Sequence, residues 1–302
     1  MSSAIVFAYH NVGVRCLKVL LAHGVEVKLV LTHPDNPQEN IWFESVQAVC
    51  DDYGIPCISP ADPNVPEIEQ QLAALAPDFV FSFYYRHMLQ APLLAIAQRG
   101  AFNMHGSLLP KYRGRAPVNW AVLHGERETG ASLHAMNLKP DNGALVDQVA
   151  VPILPNDTSH DVFAKVTVAA EVCLDRALPA LLDGTAKMLP QDLKQGAYFG
   201  GRGAADGRIV LAQNARQIHN LVRAVSRPYP GAFLETAAGK LLIWRSRVLA
   251  PDTVAPATSR IESDHGRLLL HPAGGGILHI LDAELNGQPL TAASPIFPLN
   301  LN

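Results

Sequence analysis

The sequence predicts an α/β protein: a doubly wound, mostly parallel, Rossmann-like sheet followed by a small all-β domain. Three observations predict it. Through the N-terminal half, short apolar runs of strand length alternate with helical stretches of about ten residues, the pattern of a parallel sheet covered on both faces. Gly196–Gly207 then holds five glycines in twelve residues with no periodicity, which marks a loop and a boundary. Beyond it the apolar runs are short and separated by Gly and Pro, as in a barrel or sandwich.

Taken in order, Ala4–Tyr9 is an apolar run bounded by polar residues, hence a buried first strand. Gly13–His23 carries Val14, Leu17, Leu20 and Leu21 at helical spacing. Val25–Thr32 reads as a second strand, Trp42–Tyr53 as a second helix, and Ile55–Ile58 as a short extended piece. Glu67–Ala76 is helical, Asp78–Phe83 is a further strand, and Pro92–Gln98 is another helix. Gly130–Asn137 and Ala144–Ile153 read as strands joined through the turn signal Asp141-Asn142-Gly143. Asp157-Thr158 can cap a long helix from about Ser159 to Leu182. Gln213–Ser226 is a helix that enters the second domain. Ala232–Thr236, Lys240–Leu249, Arg267–His271 and Ile277–Leu285 are its strands, and the last dozen residues read as irregular. The domains expected are therefore 1–200 and 208–302.

Composition narrows the function. Apolar residues make up 48% and charged residues 17% of the chain, a soluble globular balance. A net charge of −3 gives no global attraction to nucleic acid. Cys16, Cys50, Cys57 and Cys173 contain no Cys-x-x-Cys pair and are expected to be reduced thiols of a cytoplasmic protein. The apolar run at the N-terminus ends at His10 without a basic lead, so it is a strand and not a signal peptide. No run is long enough to span a bilayer. After the first strand, Tyr9-His-Asn-Val-Gly13 has one glycine where a dinucleotide fingerprint needs three, which argues against NAD. His10, His33, His124, His134 and His219 show no ligand spacing, and His134 reads as a structural residue alternating on a strand. No metal is expected.

The chemistry concentrates in Gly100–Trp120. A buried strand runs through Asn103 and His105, which are two apart and so point the same way. They lie at the strand's carboxyl end, where open α/β sheets keep their sites. Gly106 lets the chain turn, Lys111, Arg113 and Arg115 follow as three cations within five residues, and Pro117 suits the first turn of a helix. Asn103 offers an uncharged N–H for an oxyanion. His105 is the candidate whose side-chain type titrates near neutrality. Asp141 can pair with His105 and favour the imidazolium. On the residues alone, three polar side chains at strand ends and a turn are also what ordinary hydrogen bonding produces.

Asn103-x-His105 followed by Ser107-Leu-Leu-Pro110, with the Asp141-x-Gly143 turn downstream, resembles the folate-dependent formyltransferases. Phe7-Ala-Tyr9, Phe81–His87, Ser107–Pro117, Val222–Val225 and Pro230–Phe233 extend the likeness over most of residues 4–250. The resemblance implies that Asn103, His105 and Asp141 are the oxyanion donor, the proton-transfer residue and its partner. It implies 10-formyltetrahydrofolate as co-substrate. The pterin would be held by the backbone of His87, Met88 and Leu89, with further contacts from Arg115 and from Asn137, Leu138, Lys139, Pro140 and Asp141. It also implies that the C-terminal domain is OB-like. Planar guanidinium groups suit phosphates, so Lys111 and Arg113 are candidates for the acceptor, with Arg202 and Tyr229 further along.

The branch of the family most resembled formylates a nucleotide-linked amino sugar, UDP-4-amino-4-deoxy-L-arabinose, on the way to lipid A modification and polymyxin resistance. Gly201 and Tyr229 depart from that branch, which has Arg and Trp there. Two rivals stand beside this reading. The first is a methionyl-tRNA formyltransferase. His33–Asn40 lacks the basic insertion the tRNA enzymes carry, which counts against nucleic acid; nine Lys and Arg in 194–247 count for it. The second rival is a non-catalytic protein that binds folate or a nucleotide sugar.

Overall fold

The computed structural model describes residues 2–301. By packing, the chain forms two units. One comprises 1–117, 128–151 and 164–200; the other comprises 118–127, 152–163 and 201–302.

The first unit opens with β1 (Ser3–Ala8), buried at every position. It continues through α1 (His10–Ala22), β2 (Glu26–Leu31), α2 (Val46–Tyr53), β3 (Cys57–Ile58), α3 (Pro66–Ala74), β4 (Phe79–Phe83), α4 (Ala91–Ala95) and β5 (Gly100–His105). The short β6 (Arg113–Gly114) leads into α5 (Pro117–Leu123), which belongs to the other unit but for its first residue; β7 (Glu128–Ala135), β8 (Leu145–Pro152), the long α6 (Ser159–Asp183) and β9 (Tyr198–Phe199) follow. The sheet order is β3-β2-β1-β4-β5-β7-β8. Pairings from β3 to β5 are parallel, and β7 lies antiparallel to β5. Alternate residues of β4 bury both faces. Phe79, Phe81 and Phe83 line one, while Val80 packs with Ile5, Phe7, Leu29, Leu31 and Leu89. Each such side chain contributes about 1.5–3 kcal/mol of burial, which is why these strands read as continuous apolar runs.

Several elements differ from the sequence reading. The expected helix from Trp42 begins only at Val46, because the Ser45 hydroxyl accepts the Ala48 N–H and caps it there. Trp42 and Phe43 instead pack on the His10 ring, with centroids 4.5 and 3.9 Å away. α6, by contrast, is capped within the expected Asp157-Thr158 pair, by Thr158, whose hydroxyl accepts from the Asp161 N–H while Asp161 accepts from the Thr158 N–H. The glycine-rich stretch is not featureless: β9 within it pairs in parallel with β6.

The second unit contains α7 (Ala215–Val225), β10 (Ala232–Thr236), β11 (Gly239–Ala250), β12 (Ser259–Asp264), β13 (Arg267–His271), β14 (Ile277–Leu285), β15 (Gln288–Pro289) and β16 (Leu299–Leu301). Its strands form an antiparallel, nearly closed barrel in the order β10-β11-β14-β13-β12-β16. Register shifts along β11 bend it enough to serve two neighbours. β16 lies in the last dozen residues, expected to be irregular, and β12 in a stretch to which the sequence assigns no element. They are short, and only alternate residues such as Ile261, Leu299 and Leu301 are buried. Arg223 on α7 ties 118–127 and 152–163 to this unit. Its guanidinium donates to the carbonyls of Val122, Leu154 and Asp157. Burial holds that guanidinium below its ordinary value.

Candidate active site

The parallel run β1-β4-β5 carries its carboxyl ends to one edge, and β5 delivers Asn103 and His105 there. His105 is buried; its Nε2–H donates to the Tyr112 carbonyl at 2.8 Å, and its Nδ1 stands 3.5 Å from Asp141 Oδ1. The other carboxylate oxygen, Oδ2, accepts the Gly114 N–H at 2.8 Å. Burial alone would raise the Asp141 carboxyl. The His105 ring first, then the His134 ring and the Gly114 N–H, outweigh it and hold the group well below the usual carboxylate range.

Asp141 reaches this position from a tight turn. Its own φ is +55°, in the left-handed region. A side chain at Gly143 would collide with the Ala135 carbonyl, so only glycine fits there. The Gln191 amide donates to the carbonyls of Asp141 (2.9 Å) and Gly143 (2.6 Å). Arg113 Nη1 donates to Asn142 Oδ1 at 2.8 Å.

The loop after β5 is organised by a buried hydroxyl. Ser132 on β7 donates to the Ser107 carbonyl, and accepts from the Leu109 N–H and from Gln148 Nε2. Ser107 in turn donates to the Lys111 carbonyl. The three cations of this loop separate. Lys111 and Arg115 are exposed. Arg113 donates to Asn142, Leu193 and Gly196, so its guanidinium braces the fold.

The candidate pterin-reading stretch lies after β4. Met88 is exposed and Leu89 is buried in the core. Asn64 clamps their backbone: its amide donates to the Met88 carbonyl and accepts from the Gln90 N–H. His33 supports the same loop by accepting the Arg86 N–H at 3.0 Å, and its ring stacks on both Tyr85 and His87. Burial, with the His87 ring and the Arg86 cation beside it, pushes the His33 ring down to about 4. Asn137, Leu138 and Lys139 are exposed, and Asn137 Oδ1 accepts the Lys139 N–H in a local turn.

In the second unit, the Arg202 guanidinium lies 4.7 Å over the Trp120 ring and donates to the Asp206 carbonyl. Tyr229 is half-buried, its phenol pushed up to about 12 by burial. Among the described residues, no cluster of His, Cys, Asp or Glu could hold a metal ion, and no helix is long and apolar enough to cross a membrane.

The structure thus brings Asn103, His105 and Asp141 together and adds residues that sequence reasoning passed over. His134, expected to be merely structural, sits in the cluster, with Nε2 3.1 Å from Asn103 Nδ2 and 3.4 Å from Asp141 Oδ1. Gln191 supports the turn that carries Asp141, and His33 and Asn64 support the loop after β4, each from a distance in sequence; no local pattern marks them.

Known protein families match both the N-terminal and the C-terminal part of the chain. The formyl transferase family matches residues 14–178, and the formyl transferase C-terminal domain matches 203–297. Among solved structures, the chain is similar to an N-formyltransferase from Helicobacter canadensis in complex with folinic acid and dTDP-3-aminofucose. The TM-score is 0.72 at 19% identity, over 96% of this chain and 100% of that one. A sugar N-formyltransferase from a Shewanella species gives 0.64 at 20% identity, over 80% of this chain and 96% of that one. HypX from Aquifex aeolicus in complex with tetrahydrofolic acid gives 0.63 at 15% identity, over 97% of this chain and 46% of that one. The N-terminal match alone spans more than half of the 302 residues, and with the Asn103, His105 and Asp141 cluster at the sheet edge it makes this chain a member of the formyl transferase family.

Proposed function

We propose that the protein transfers a formyl group from 10-formyltetrahydrofolate to the amine of a nucleotide-linked amino sugar, with UDP-4-amino-4-deoxy-L-arabinose as the first acceptor to test. The observation that carries this reading is the His105–Asp141 pair beside Asn103 in a chain of this family. The neutral amine attacks the formyl carbon, the carbonyl oxygen becomes an oxyanion, and the bond to N10 of the folate then breaks. One proton leaves the amine and one reaches N10. Asn103 donates to the oxyanion. His105, paired with a carboxylate that stays ionised, carries the proton between the two nitrogens. The backbone of His87, Met88 and Leu89 reads the pterin edge, and Arg115 and the 137–141 turn complete the folate contacts. Lys111, Arg202 and Tyr229 are the candidates for the acceptor.

The nucleotide-sugar acceptor is supported by the absence of basic residues in His33–Asn40. The ligand of the Helicobacter canadensis structure is a dTDP-amino sugar. The basic residues of 194–247 are weak support for tRNA, since Arg223 is buried and Arg227 is paired with Asp282 and Glu284. Mass spectrometry of purified protein with 10-formyltetrahydrofolate and a panel of UDP- and dTDP-amino sugars tests the proposal. N-formylation of a UDP-sugar is the expected result. Formylation of initiator methionyl-tRNA, with none of any sugar, would overturn it.

A further inference from the structure

Strand β7 sets His134 directly opposite Asn103 on β5. The ring is 2% exposed, so its hydrogen bonds are with protein groups. Nδ1 lies 2.9 Å from the Ala135 carbonyl, which can only accept, so Nδ1 carries a proton. Nε2 lies 3.1 Å from Asn103 Nδ2, which can only donate, so Nε2 is bare. The two bonds together select one neutral tautomer.

The titratable groups facing this ring are Asp141, from its turn, and His105, from β5. Asp141 Oδ1 is 3.4 Å from His134 Nε2 and 3.5 Å from His105 Nδ1. One carboxylate oxygen thus lies between two imidazoles. A proton on Nε2 would draw His134 to Asp141 and set it against the Asn103 amide. The Asn103 contact is the shorter of the two. A bare Nε2 leaves Asp141 Oδ1 to His105 and avoids two buried cations sharing one carboxylate oxygen.

We infer that His134 is a positioning residue for formyl transfer. As the neutral Nδ1–H tautomer it accepts one Asn103 N–H and so aims the other at the oxyanion. The Asn103 amide has two hydrogens, and without the ring nothing in the cluster sets which way it turns. This rests on the reading of Asn103 as the oxyanion donor given above.

The test uses the full chain. His134→Phe keeps a flat ring and removes the acceptor; His134→Gln returns an oxygen that can accept. Expected is a fall in kcat of about tenfold to a hundredfold for the Phe variant, the usual effect of a misplaced catalytic group. The folate KM should be nearly unchanged, and the Gln variant should recover most of the rate. Added to Asn103→Ala, the Phe substitution should cost little more, since both act through one group. Nitrogen NMR of the unaltered protein should show His134 protonated at Nδ1 and bare at Nε2. A His134 proton on Nε2 at neutral pH, or losses that multiply in the double variant, would overturn the inference. If Asn103→Ala itself keeps normal kcat, the oxyanion assignment fails instead.

Discussion

The Gly114 N–H donates to Asp141 Oδ2 at 2.8 Å, which leaves Oδ1 to face His105. A backbone donor thus fixes the orientation of the carboxylate before any ligand binds. Because the loop residue that donates also pairs with β9, the glycine-rich stretch beyond α6 helps to set the active-site geometry.

Asp141→Asn should keep the turn's shape and withdraw the charge. The rate should fall, because the proton-carrying ring then loses the ionised partner that faces it. Stability carries a second signature. The folded carboxyl titrates below its unfolded value of about 4. Its stabilisation is therefore present above about pH 4 and lost as pH falls through the folded value. Thermal melts should show a shallower acid slope for the Asn variant. Equal slopes in the two proteins would mean that the carboxylate makes no net favourable contact.

His105→Ala should lower kcat by about two to four orders of magnitude, the usual worth of a positioned acid–base group. Folate affinity, read by calorimetry, should change little, since the ring acts at the reacting centre. Near-normal turnover in the purified variant would remove His105 from the mechanism.

Gln191→Ala deletes two hydrogen bonds to the turn that presents Asp141. A loss of about 1–3 kcal/mol in urea unfolding is expected, with kcat down about tenfold from the displaced carboxylate. Full activity with the stability loss present would show that Gly114 and Arg113 hold the turn unaided.

His33 gives the loop after β4 a pH dependence. Its folded value of about 4 lies below the unfolded value of about 6.5. Between those values the unfolded chain binds a proton that the folded chain does not, so stability should fall as pH drops from about 6.5 to about 4. His33→Gln cannot titrate and should lose that part of the slope. Denaturant titrations across this interval distinguish the two. A variant as acid-sensitive as the parent would place the effect on another group.

The α/β alternation was legible because both faces of β1 and β4 are buried, which leaves unbroken apolar runs in the sequence. Asn103 and His105 were legible as a pair because strand geometry fixes which way alternate residues point. Asp141 was legible because Asp-Asn-Gly is a turn signal. His134 was not, since its role depends on the Asn103↔His134 pairing between β5 and β7, which lie far apart in the chain. The same holds for β9, whose partner β6 precedes it by more than a helix, and for β12 and β16, which are strands only through each other and β13. The delayed start of α2 turned on a serine cap three residues beyond Trp42, which the apolar pattern did not resolve.

The antiparallel course of β7 beside β5 bears on how this protein can change. β4, in the parallel part of the sheet, leads towards the site through the loop at its end, where insertions are readily absorbed. β7 reaches it through its register. Dropping Ala131 would shift the strand beyond it by one place and turn His134 to the opposite face. Ser132, which organises the loop after β5, would be turned with it. Amino-acid composition would hardly alter. In this strand a change of length is therefore a change of chemistry, and variation in length should be confined to the loops on either side.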